Sequence, residues 1–140
     1  MTHEIENHMP RIGRSDDGAA AVEMALVLPV LLLVLCGIID FGRAYNAKVT
    51  LTHAAREGVR VWALTAPSDP ATASANAEAT TQAAATGLTG VTVTTPADCT
   101  FGTATTLTAT ADFSYITPLI ADLAPGTTTL TAEGVMRCGG

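Results

Sequence analysis

The chain has 140 residues, 48% of them hydrophobic, and a formal net charge of −6, figures that fit one ordinary soluble domain. The apolar residues are unevenly placed, however: 18 of 67 lie in the 21 positions from Ala19 to Ile39, and 21 of the other 49 are alanine. The 28 larger apolar side chains left for a water-soluble core disfavour a large soluble enzyme, and the seven Lys and Arg residues form no basic patch for nucleic acid.

Residues 1–18 hold Glu4, Glu6, Arg11, Arg14, Asp16 and Asp17 with few apolar residues and no helical stripe, the composition of a disordered leader. From Ala19 to Ile39 only Glu23, Pro29 and Gly37 interrupt the apolar run. A helix there is about 31 Å long at about 1.5 Å per residue, which matches a bilayer core of about 30 Å. The rest of the chain is too poor in apolar side chains to cover such a helix as a buried core element. After Asp40 the helical signal continues, with small or apolar residues at Ala44, Ala47, Leu51, Ala54, Gly58, Val61 and Leu64, and Pro67 supplies a stop. Residues 40–66 therefore read as an amphipathic extension of a membrane helix over 19–39.

The head, residues 67–140, opens with a second helix at about 70–86, where Asp69 can cap, Pro70 suits the first helical position and Gly87 can close. Beyond it the apolar period becomes two. Val91 and Val93 mark a strand at about 88–95. Leu107, Ala109, Ala111, Phe113 and Tyr115 mark another at about 105–116, and Leu130, Ala132 and Met136 a third at about 127–137, with Thr at most alternate places. Three antiparallel strands with one apolar face need an apolar surface to pack on, and the long helix offers it. The expected fold class is α+β: a long N-terminal transmembrane and amphipathic helix followed by a small Thr-rich head.

Of the three cysteines, Cys36 lies in the apolar run, where a thiol acts as a small hydrophobe. Cys99 precedes the second strand and Cys138 follows the third. If those strands are antiparallel neighbours, the two cysteines share one end and a disulfide can close a loop of about forty residues, worth roughly 3–4 kcal/mol. The alternative is two unpaired thiols; a zinc site lacks a second Cys or His pair at ligand spacing. A disulfide would place the head in an oxidising, extracytoplasmic space.

Glu23 is the most informative residue. An ionised carboxylate inside an apolar span costs a few kcal/mol unless it is paired. Gly18 followed by Ala19, Ala20, Ala21, Val22 and Glu23 has the layout of a prepilin cleavage site, cut after the glycine. Cleavage would leave Ala19 with an α-amine of pKa about 7.7–8.0, a cation able to neutralise Glu23 within one chain or between neighbouring subunits.

The stretch from Gly18 to Leu64 resembles the TadE-like family of tight-adherence (Flp-type) pilus proteins. The likeness rests on the Gly-x-x-x-x-Glu junction, Pro29, the exit Asp40-Phe41-Gly42-Arg43 and the segment Ala54-Ala55-Arg56-Glu57-Gly58. It implies a pseudopilin with Gly18 before the cut, Ala19 as mature N-terminus and Glu23 as the fifth mature residue. It also implies, as partners, other pilin or pseudopilin subunits, an inner-membrane assembly platform and a prepilin-type peptidase. Met24 stands where many relatives have an aromatic residue, and Asp16 and Asp17 stand where basic residues are common.

Charge and resemblance disagree on orientation. Arg43, Lys48, Arg56 and Arg60 follow the span and only Arg11 and Arg14 precede it, which by charge alone puts the N-terminus outside. The cysteines and the resemblance favour an extracytoplasmic head on a single-pass protein of the bacterial cytoplasmic membrane, and that orientation is adopted. His53 and Glu57 lack the second histidine of a metal-binding helix, and no nucleophile, base and orienter stand together. No enzyme, cofactor or metal is expected. A permanently anchored envelope protein, whose head binds a surface ligand or partner, is the alternative function.

Overall fold

The structure, a computed structural model, describes residues 16–117 and 128–139. Most of the expected leader, residues 1–15, lies outside the described residues. The elements in chain order are helix α1 (Asp16–Thr65), helix α2 (Pro70–Ala84) and strands β1 (Thr89–Thr94), β2 (Ala104–Phe113) and β3 (Thr128–Arg137). The chain divides into two units, Met1–Leu35 and Cys36–Gly140.

In the first unit the described chain is helical from Asp16, and every residue from Gly18 to Leu35 is exposed. Pro29 lies within the helix. Among the described residues α1 is the one helix long and apolar enough to cross a membrane. A long run of exposed Leu, Val and Met side chains, interrupted by a single acid, has no place in water, and lipid is the solvent that suits it.

In the second unit β1, β2 and β3 form an antiparallel sheet in that order, giving an α+β fold with the remainder of α1 and with α2. Alternation along β2 buries Thr105, Leu107, Ala109, Ala111 and Phe113. Leu107, Ala109 and Ala111 join Leu51, Ala55, Val59 and Trp62 of α1, Ala73 and Ala77 of α2 and Ala132 of β3 in one core. The core is built largely of alanine, so close backbone approach replaces large side chains.

Two glycines permit that approach. At Gly134 of β3 a Cβ would overlap the Ala55 carbonyl of α1 and come within 2.9 Å of Val59 Cγ1. At Gly58 of α1 a Cβ would overlap the Thr81 hydroxyl of α2, which itself donates to the Ala77 carbonyl at 2.7 Å. Gly58 is therefore a crossing point between the helices, and α1 runs through it for seven further residues.

The buried stripe of α1 departs from the expected one. Ala47, Leu51, Ala54 and Gly58 are buried as spaced, but Val61 is only half-buried and Leu64 is exposed, while Val59 and Trp62 of the helix, with Ala66 just past its end, face the core. The expected stripe averages about 3.3 residues per step from Ala44 to Leu64, whereas a helix turns every 3.6, so the earlier register drifts off the face. Capping at α2 is local: Asp69 accepts from the Thr72 amide at 3.1 Å ahead of Pro70. The helix ends at Ala84, three residues before Gly87. Strand β2 ends at Phe113, short of the 105–116 expected for it, so Tyr115 lies beyond the strand. Two amides past that end, those of Ile116 and Thr117, bond to the side chain of Asp40 instead of a neighbouring strand.

Candidate functional site

Gly18, Ala19 and Glu23 lie on the first two turns of α1 and are exposed. The Gly18–Ala19 peptide bond is inside the helix, and Ala19 and Glu23, four residues apart, share one face of it. Among the described residues no ion pair involves Glu23. Among the described residues of its own unit, this carboxylate on the exposed, apolar part of a helix has no partner to neutralise it.

The second unit holds a polar cluster at the place where the apolar run ends. Asp40 is 1% exposed. Its Oδ1 accepts the Ile116 amide at 3.0 Å and its Oδ2 the Thr117 amide at 2.9 Å. Arg43, one turn along α1, donates from Nη1 to Asp40 Oδ1 and to the Ser114 carbonyl, both at 3.3 Å. The Arg43 guanidinium also stands 5.3 Å from the centre of the Phe113 ring, which meets Tyr115 edge-on at 5.3 Å. Hydrogen bonds from Thr117 and the Ile116 amide, with a smaller contribution from Arg43, outweigh burial and hold the Asp40 carboxyl at about 2.

Residues 114–117 thus leave the sheet because a helix side chain takes the amides of Ile116 and Thr117. Buried N–H groups must have partners, and a carboxylate is a stronger acceptor than a strand carbonyl. In the sequence Asp40 and Arg43 stand out only as part of the exit motif, with no role attached to either. The available signal was an acid at the first position past an apolar run with an arginine three residues on, but nothing local names a partner 76 residues away.

Cys99 and Cys138 are joined in a disulfide with their Cα atoms 5.5 Å apart. The joint is braced by backbone hydrogen bonds from Gly102 to Cys138, from Cys138 to Thr103 and from Gly139 to Ala63 of α1, at 2.8–2.9 Å. Cys36 is free and exposed. His53 and Glu57 are exposed on α1, where Glu57 lies 3.9 Å from Arg60. Among the described residues no three His, Cys, Asp or Glu side chains converge as a metal site would require. A cleft of about 340 Å³ near Arg43 is lined also by Asn46, Thr50, Asp112 and Phe113 and carries no catalytic grouping.

Among the described residues one helix, α1, is long and apolar enough to cross a membrane, and a small disulfide-closed α+β unit accompanies it, the class of a single-pass membrane-anchored protein. Comparison with known families is more specific: residues 18–60 are similar to the model of the TadE-like protein family. The matched segment begins at Gly18 and includes Glu23, Asp40, Arg43 and Gly58. No curated protein and no solved structure matches the chain.

Proposed function

We propose that the chain is a pseudopilin, a structural or accessory subunit of a bacterial tight-adherence pilus or secretion system that assembles through its N-terminal helix. The observation that carries this reading is the family match starting at Gly18, on a helix whose exposed apolar surface contains one acid five residues later. In this reading residues 1–18 are a cytoplasmic leader, residues 19–39 span the cytoplasmic membrane and the head is extracytoplasmic. The disulfide supports that side for the head, because structural disulfides persist in oxidising compartments. A prepilin-type peptidase would cut after Gly18. The new Ala19 amine and Glu23 would then neutralise one another, most usefully between subunits, where the pair sets register.

Mass measurement of the protein purified from membranes tests the cut. The expected chain begins at Ala19, with a formal charge of −4 in place of −6, since the leader removes four acids and two bases. Retention of residues 1–18 would favour the permanently anchored protein whose head binds a partner. Glu23→Ala is expected to leave membrane insertion intact and to lower recovery of the protein in sheared pili severalfold. Equal recovery of variant and parent would remove the charge pair from the assembly mechanism.

A further inference from the structure

We propose that the segment leaving β2 is a second membrane contact, with Ile116 seated in the lipid interface beside the last turn of the span. The proposal rests on the reading of residues 19–39 as the span and goes beyond it. Ile116 is held by its own backbone: its amide bonds to Asp40, and its side chain is left 66% exposed. It lines a cavity of about 210 Å³ together with Cys36, Ile39, Asp40 and Thr117. Cys36 lies about 6 Å, one helical turn, inside the span from Asp40. A side chain that shares a cavity with Cys36 and Ile39 is therefore at the depth of the interface whenever those residues are in lipid.

The surroundings agree in chemistry. Phe41 and Tyr45, on the first two turns past the span, are 74% and 66% exposed, and aromatic side chains at that level are the usual anchors of a bilayer boundary. Ile38 and Ile39 are exposed in the adjoining turn. Lipid is the occupant favoured over a second copy of the chain because this surface is continuous with one that faces lipid already. Asp40 then serves to satisfy the two amides that an irregular segment brings to the membrane boundary, where unpaired N–H groups are costly.

The test uses the full chain with Cys36→Ser, the native disulfide intact, and Ile116→Cys carrying an environment-sensitive fluorophore. The protein is placed in phosphatidylcholine–phosphatidylglycerol vesicles containing nitroxide-labelled lipids. Leu28→Cys and Val135→Cys, labelled alike, report the span and the head. The expected result is a loss of emission at 116 comparable with that at 28, with none at 135, which also controls for the dye's own affinity for lipid. Quenching at 28 without quenching at 116 overturns the second contact and leaves the span standing. Absence of quenching at 28 overturns the span and this inference with it. A probe at 116 that is shielded from aqueous iodide yet unquenched by lipid assigns the surface to a neighbouring copy and overturns lipid as its occupant.

Discussion

Cys99→Ser is expected to give the largest loss of stability of any single change outside the core, about 3–4 kcal/mol for a loop of this length. The bond spans 39 residues and ties the loop before β2 to the end of β3. It also lies next to the Gly139 amide that bonds to the Ala63 carbonyl of α1, so opening it loosens helix and sheet together. Few other interactions stand in reserve: the core holds mostly alanine and Leu51 and Leu107 are its largest fully buried side chains. The measurement is urea unfolding of the full chain in detergent micelles, with limited proteolysis beside it. The variant should unfold at lower urea and become protease-sensitive, while the oxidised parent runs faster on a non-reducing gel than the reduced one. Identical midpoints for parent and variant would mean that the bond contributes nothing to the fold.

Asp40→Ala comes second and acts on a different part of the head. It leaves the amides of Ile116 and Thr117 without acceptors in a buried place and removes the partner that orients Arg43 toward the Ser114 carbonyl. The expected result is a fall in Tm of roughly 5 °C or more, with fast hydrogen exchange at residues 116 and 117. Asp40→Asn keeps one carbonyl oxygen and should fall between parent and Ala variant.

The same carboxylate predicts a pH dependence. Its folded value, about 2, lies below its ordinary 3.8, so the unfolded chain takes up the proton first as pH falls. The stability it confers is complete above about pH 4 and is lost progressively as pH drops through about 2. Asp69, lowered by the Thr72 side chain and amide, acts in the same direction. Asp40→Asn should therefore show a shallower loss of stability between pH 4 and pH 2 than the parent. An unchanged acid profile, together with an unchanged Tm for Asp40→Ala, would show that the contact does not hold the segment in place.

What was legible in the chain is what depends on neighbours within a turn or two. The apolar run over Ala19–Ile39, the cap and first turn at Asp69 and Pro70, and the alternation through Leu107, Ala109 and Ala111 each follow from local periodicity, which the backbone of a helix or strand enforces by itself. Glu23 was equally visible, because one charge in an apolar run contrasts with its own neighbours. Other features depend on residues far apart in sequence, and only the tertiary structure decided them. Gly58 marks a helix crossing because Thr81 lies against it, and Gly134 is small because Ala55 of another element passes close by. Strand β2 stops at Phe113 because Asp40 accepts two amides beyond it, and the choice between bridged and free cysteines was closed only when β3 paired with β2 over its full length. Periodicity reports which face of an element is apolar, but which surface meets that face is fixed by packing in three dimensions.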